Sequence, residues 1–434
     1  MKRVALAVLI LAVVAASALA GTPAATGVRV RIVFPASAHA EAITGRVYVA
    51  LNRVGAPATG RGGGGGPIQQ AGDTGAPLFG LNVENLKPGA IAEIDGRVFG
   101  HPVASLNDIP KGEYVVQAFV NIYTRFERAD GHTVWMHMDQ WEGQNWRRSP
   151  GNLFSTPRTI FIDPQAKDPK ARVIDLTCDQ VIPPVPVPPD TDSVKRLKFK
   201  SAILSKWWGH PIFLGATVLL PKDYDTHPEV KYPVNYSQGH FSTRAPGGFG
   251  TGGAFDKVWL AEDTPRFLYV TFQHPSPYYD DSYAVNSQNN GPYGDAIIDE
   301  LITAVEERFR VIREPWARTL SGGSTGGWEA LALQIFHPDF FGGAWASCPD
   351  SVDFRYHQIV NIYNDDSFYL DNAVELMETF LESTRTPYYA GSVTYKRGAP
   401  HCYSPAAREL LDAMTQHIER TAPAGADITS WRYK

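Results

Sequence analysis

A serine that attacks an acyl carbon must stand clear of its own backbone, and one stretch of the 434-residue chain is suited to that. It reads Leu320-Ser321-Gly322-Gly323-Ser324-Thr325-Gly326-Gly327-Trp328, with glycines two before and two after Ser324. In a Gly-x-Ser-x-Gly run the serine occupies a sharp strand-to-helix turn, and the glycines let strand and helix come close. Residues 316–320 read as a short strand and 328–337 as a helix, so the motif has the flanks it requires. Without them it would read as a flexible Gly/Ser loop. The Thr325 N–H, at the start of the helix, would face an oxyanion forming on the attacked carbonyl.

A serine hydroxyl is a weak nucleophile, so it needs a histidine base and a carboxylate to orient that base. In chains with this elbow the order is nucleophile, acid, base. Four histidines follow Ser324: His337, His357, His401 and His417. His337 ends the helix after the serine, where a capping role suits it, and His417 lies inside a helix expected over 407–420. His357 precedes the last strand that could carry the acid. His401 follows a strand expected over 391–395, the position a base requires, and is the preferred base. For the acid, 359–363 reads as a strand ending in Asn364-Asp365-Asp366. Asp366 is preferred and Asp365 is the alternative, although either could cap the helix expected over 370–381. A second oxyanion donor belongs in the loop after the third strand, Ser237-Gln238-Gly239-His240-Phe241-Ser242, where Phe241 is the candidate and His240 reads as structural.

The elements that must position these residues fall in the second half. Residues 198–204 and 213–221 read as a leading strand pair, 232–236 and 266–272 as further strands. Residues 296–309 form an amphipathic helix with apolar positions 297, 298, 301, 302, 305 and 309 on one face. Strands alternating with helices imply an α/β class, a doubly wound, mostly parallel sheet. The first half differs: short runs such as 28–34, 46–51, 112–123 and 158–162 alternate at period two between turn residues and suggest an all-β, sandwich-like domain. The proline-rich segment Pro183-Pro184-Val185-Pro186-Val187-Pro188-Pro189 reads as a semi-rigid linker. The expected organisation is 1–20 signal peptide, 21–178 β-domain, 179–193 linker and 194–434 catalytic domain.

Lys2 and Arg3, the apolar run 4–16 and Ala18-Leu19-Ala20 read as an export signal cleaved after Ala20, too short to span a membrane, so a secreted or periplasmic protein is expected. The formal net charge of −5 gives a nucleic-acid partner no electrostatic support. Gly62–Gly66 is not a phosphate cradle, since no lysine and helix follow it. Cys178, Cys348 and Cys402 are an odd set, of which Cys348 and Cys402 could pair. No spacing resembles a zinc site, and neither metal nor organic cofactor is expected. Trp135, Trp141 and Trp146, and the aromatics Trp207, Trp208, Tyr278 and Tyr279, are open to two readings: core packing, or a surface for an aromatic or sugar-bearing group.

Tyr232-Pro233-Val234, Gly239-His240-Phe241, the Ser324 elbow with Trp328, His337-Pro338-Asp339-Phe340-Phe341-Gly342-Gly343 and Asp366-Ser367-Phe368-Tyr369-Leu370 together resemble the Putative esterase family, the esterase D and enterochelin-esterase-like branch of the α/β-hydrolases. The resemblance covers about 196–420. It implies hydrolysis of a carboxylic ester or thioester through an acyl-serine, with Ser324 as nucleophile, Asp366 as acid and His401 as base, acting on a small-molecule or carbohydrate-linked ester. The chain departs from the family between Ser324 and Asp366, which lie only 42 positions apart and leave little room for a crossover helix. A serine peptidase would share the triad, and a binding or scaffold protein could use the same fold without it.

Overall fold

A computed structural model describes residues 27–56, 65–72, 75–127, 131–356, 361–364 and 407–426. These residues divide into two compact units. The first takes residues up to 126, 133–138 and 145–185; the second takes 127, 131–132, 139–144 and everything from 186 onward. The division near 185 falls inside the proline-rich segment, yet 139–144, within the first half of the sequence, are part of the second unit.

The described residues of the first unit contain two larger sheets, besides the two-stranded pairing of Thr124–Glu127 with Thr133–Met136. One orders the strands Val173–Thr177, Arg29–Val33 and Ala92–Ile94. The larger orders Gln180–Val181, Leu153–Phe154, Gly112–Ile122, Ile43–Arg53, Leu78–Leu86 and Gly100–His101, with Arg158–Ile162 also paired to Gly112–Ile122. Alternating burial along Arg29–Val33 reflects the two-residue period of a strand with one covered face. Val30, Ile32, Val47, Val49, Phe79 and Val116 fill the core.

The second unit is organised on one six-stranded sheet. Its strands are β1 (Val194–Ser201), β2 (Ile212–Leu219), β3 (Val234–Gln238), β4 (Leu268–Gln273), β5 (Arg318–Gly323) and β6 (Gly343–Ser347). They lie side by side in the order β1-β2-β4-β3-β5-β6. The β1/β2 and β2/β4 pairs are antiparallel, and β4/β3, β3/β5 and β5/β6 are parallel. The first four residues of β5 are all buried, as are most of β3, which is what parallel strands covered on both faces require. The helices are α1 (Ala202–Trp208), α2 (Ala254–Trp259), α3 (the consecutive stretches Tyr293–Ala296, Ile297–Ile302 and Thr303–Arg308, the middle one π-helical), α4 (Thr325–Phe336) and α5 (Ala407–Thr421). The parallel strands bring the C-terminal ends of β3, β5 and β6 to one edge of the sheet, with α4 starting directly after β5.

The strand expected over 359–363 is not formed in its described part. Residues 361–364 make a turn, in which the Asn361 side chain accepts the Tyr363 N–H at 3.1 Å and the Asn361 carbonyl accepts the Asn364 N–H at 3.1 Å. Asparagine competes for its own neighbouring backbone in this way, and here that local bonding prevails over the β-propensity of Ile362 and Tyr363. Residues 365–406, with the expected helix at 370–381 and strand at 391–395, lie outside the described residues, as do 1–26. No helix among the described residues is long and apolar enough to cross a membrane.

A buried ion pair ties α3 to the middle of the sheet. The Arg318 guanidinium on β5 donates Nε to Glu306 Oε1 at 2.6 Å and a terminal nitrogen to Oε2 at 2.9 Å, and the Tyr236 hydroxyl on β3 donates to Oε1 at 3.2 Å. All three side chains are buried. The paired fork satisfies both carboxylate oxygens, which is the condition under which such a pair is tolerated inside a protein. Glu306→Ala leaves Arg318 charged and uncompensated and is expected to lose about 3–5 kcal/mol of unfolding free energy in urea titrations. A loss below about 1 kcal/mol would mean the pair is solvated.

Candidate active site

Ser324 sits between the end of β5 and the first residue of α4 at φ 55° and ψ −123°, a conformation that a residue with a side chain rarely adopts. Three backbone hydrogen bonds hold it there. Its N–H donates to Ser347 O at 3.0 Å, and its carbonyl accepts Trp328 N–H at 3.1 Å and Asp350 N–H at 3.3 Å. The flanking glycines are required by space. A Cβ on Gly322 would lie 2.0 Å from Gly326 O, and one on Gly326 would lie 2.1 Å from Gln238 O. Strand, turn and helix therefore touch backbone to backbone, and Ser324 is left exposed at the sheet edge. Thr325 is buried as the first residue of α4. Its N–H is one of the helix-start amides that have no partner within the helix.

Around the elbow, Asp350, Tyr283, Asp280 and Asp281 are groups that the sequence did not single out. The Ser324 hydroxyl donates to Asp350 Oδ1 at 3.2 Å, while Thr325 Oγ1 and the Tyr283 hydroxyl donate to Oδ2 at 2.8 and 2.9 Å. Asp350 thus receives three hydroxyls, one of them the candidate nucleophile. Burial, with the nearby Asp350 carboxylate pushing the same way, raises Tyr283 to about 12, so it remains a protonated donor. On the other side, His240 Nε2 lies 3.4 Å from Thr325 Oγ1, and its Nδ1 lies 3.0 Å from both Asp280 and Asp281. Burial, then the neighbouring Asp280 charge, raises the Asp281 carboxyl above its ordinary value. His240, Asp280 and Asp281 could each offer one ligand atom to a cation, all within 4.8 Å of one another, but the imidazole and carboxylates already satisfy each other.

Of the residues expected from sequence, Ser324 and Thr325 stand together at the elbow, and the loop from Gln238 to Phe241 runs against the start of α4. Asp365, Asp366 and His401 lie outside the described residues, as do His357 and Cys402. His337 caps the C-terminus of α4, its N–H donating to Leu333 O at 2.9 Å, and the His417 imidazole on α5 bonds Gly342 O at 2.5 Å. Cys178 is buried in the first unit's core and Cys348 is exposed. The aromatics Trp207, Trp208, Tyr278 and Tyr279 pack edge to face in sequence. Trp208 and Tyr278 are buried, so core packing accounts for them, while Tyr279 reaches the surface. Asp350 carried one signal in the sequence: it follows the strand next to the nucleophile strand in a parallel sheet, so both strand ends had to meet.

An antiparallel leading strand, the β1-β2-β4-β3-β5-β6 order and a positive-φ serine between β5 and the following helix define an α/β-hydrolase. Residues 214–353 match the Esterase family, described as Putative esterase, so the chain carries an esterase-family segment running from β2 to just past Asp350. It includes Phe241, Ser324 and Thr325 and ends before Asp366 and His401. No curated protein matches the chain. Among solved structures, a ferulic acid esterase aligns at 22% identity over 36% of this chain and 59% of its own, with a TM-score of 0.30. An S-formylglutathione hydrolase from Agrobacterium tumefaciens aligns at 14% identity over 37% and 59%, with a TM-score of 0.29. The fluorophosphonate-binding serine hydrolase F of Staphylococcus aureus aligns at 17% over 44% and 74%, with a TM-score of 0.29. The chain thus spans 59% of the first and second of these proteins.

One turn into α4, Glu329 is fully buried, and neither of its carboxylate oxygens makes a hydrogen bond. Burial, then the Asp281 charge, raises its carboxyl well above the ordinary value. His274 Nε2 lies 4.0 Å away, and burial lowers that imidazole to about 4. Folding therefore holds a proton on Glu329 that the unfolded chain releases above about pH 4.5. It also excludes a proton from His274 that the unfolded chain takes up below about pH 6.5. Glu329 makes stability fall as pH rises through this window, and His274 makes it rise, so the two oppose. Glu329→Gln removes only the first effect. Its stability relative to the parent is expected to increase as pH rises from about 5 to 6 in urea titrations. Parallel curves would show that Glu329 is ionised in the folded state.

Proposed function

We propose that the protein is an exported serine esterase that cleaves carboxylic esters through an acyl-Ser324 intermediate. The observation that carries this reading is the backbone of Ser324, held at φ 55° between β5 and α4 with its side chain exposed beside the N-terminus of α4. A strained residue of this kind persists only when its surroundings enforce it, and such strain concentrates where chemistry is done.

In this mechanism His401 takes the Ser324 hydroxyl proton as the oxygen attacks the ester carbonyl. The oxyanion is held by the Thr325 and Phe241 N–H groups. His401 then returns the proton to the leaving alcohol, and a water activated by the same imidazole releases the acid. Asp366 orients His401, with Asp365 as the alternative. The substrate is a small-molecule or carbohydrate-linked ester, and no metal or organic cofactor takes part. The first unit is an N-terminal β-sandwich-like domain, and residues 1–20 direct export.

The position of Asp350 just past β6, the parallel neighbour of the nucleophile strand, opens one variation, in which Asp350 gives up the Ser324 hydroxyl and orients His401 in place of Asp366. Hydrolysis of a short-chain p-nitrophenyl ester separates the two. Ser324→Ala and His401→Ala are expected to lower kcat by at least roughly a thousandfold. Asp366→Asn should lower it by roughly a hundredfold or more, and Asp350→Asn by less than about tenfold. A reversed order of the two aspartate variants would move the acid to Asp350. A folded Ser324→Ala variant with parental turnover would end the esterase reading, and cleavage of amide but not ester substrates would make the protein a peptidase.

A further inference from the structure

We propose that residues 139–144 form a clip that fixes the oxyanion loop, with Trp141 as a positioning residue acting through Phe241. The proposal rests on the esterase reading above. The chain on either side of this segment, 133–138 and 145–185, belongs to the first unit, whereas 139–144 belong to the unit that carries Ser324. A six-residue detour into another unit is a large commitment of backbone, and the segment carries its own internal bonding. The Asp139 carboxylate accepts the Trp141 N–H at 2.8 Å and the Gln144 N–H at 2.6 Å. These bonds sustain left-handed backbone at Trp141, φ 82°, and at Gln144, φ 55°.

The clip grips both loops beside the elbow. The buried Trp141 indole lies so close to β2 that a Cβ on Gly215 would come within 2.8 Å of it, and the Lys198 ammonium stands 4.2 Å from the ring centroid. Its edge meets the Phe241 ring at 5.2 Å and 86°. Gly143 closes the other side: a Cβ there would fall 2.8 Å from Phe241 Cδ1. On the second loop, Pro277 O accepts the Asp139 N–H at 2.7 Å and the Gln144 side-chain amide at 3.0 Å. Six residues further on, Tyr283 donates to Asp350 at the nucleophile.

A backbone donor stabilises an oxyanion only if it is fixed before the charge develops, and a displacement of about 1 Å can forfeit a hundredfold in rate. Phe241 is a loop residue, so the contacts of its ring, together with the Gln273 side-chain bond to Ser242 O at 2.6 Å, set where its amide stands. Trp141 and Gly143 hold that ring, and neither needs to touch substrate.

The test uses the full-length chain and compares the parent with Trp141→Ala, Trp141→Phe and Gly143→Ala. The readouts are ester steady-state kinetics, inhibition by a trifluoromethyl ketone that forms a tetrahedral oxyanion on serine, and thermal melts. Trp141→Ala should lower kcat by roughly tenfold to a hundredfold with KM within about twofold, and weaken the ketone by the same factor. Trp141→Phe, which keeps an aromatic edge against Phe241, should recover most of both. Gly143→Ala pushes on the same ring and should reproduce the kcat loss even if Trp141→Ala fails to fold. An active parent with folded variants of parental kcat and ketone affinity overturns the clip and leaves the esterase reading intact. A folded parent that hydrolyses no ester overturns that reading, and the clip with it.

Discussion

Everything at the sheet edge depends on one close approach, that of β5, the Ser324 turn and the start of α4. Gly322 touches Gly326, and Gly326 touches the backbone of Gln238 at the end of β3, with no room for a Cβ at either position. This contact sets the turn at Ser324, brings the 238–241 loop onto the helix start and places Thr325 under the site. The strain at Ser324 is of order 1–3 kcal/mol and is sustained by the buried strands on both sides and by the Glu306–Arg318–Tyr236 cluster beneath them. A flexible loop could not hold such a serine, because nothing would over-determine its backbone.

The electrostatics around the elbow are unusually acidic. Asp281, Asp280 and Asp350 all act on Glu329, and Asp280 acts on Asp281, with His240 and His274 as the neighbouring imidazoles. Burial keeps Glu329 and His274 on their neutral side, which avoids isolated charges in the interior. The same helix, α4, therefore offers a positive N-terminal end to a developing oxyanion and carries a protonated acid one turn further in. Asp350 differs: it is half-buried, bonded to three hydroxyls and in contact with the candidate nucleophile itself.

Much of the second unit was legible in the sequence because its signals are local. The Gly-x-Ser-x-Gly run, the apolar period of 296–309 and the 407–420 helix each report their own conformation, and β3, β4 and α5 lie close to the expected positions. What was missed depends on chain segments far apart. Asp350 meets Ser324 only because β5 and β6 are parallel neighbours, and the Asp281–His240 pair forms only once two loops are folded against each other. The destination of Trp141 was invisible for the same reason: nothing in its neighbours tells that 139–144 pack with residues beyond 186. At 361–364 the reading relied on β-propensity, and asparagine side-chain bonding decided otherwise.

The most direct test of the central claim, that the elbow presents an activated serine, is intact-mass analysis with peptide mapping after incubation with a fluorophosphonate. The account predicts a single covalent adduct, mapped to Ser324 and absent from Ser324→Ala. A well-folded protein that takes up no adduct, or takes one up on another residue, would contradict it.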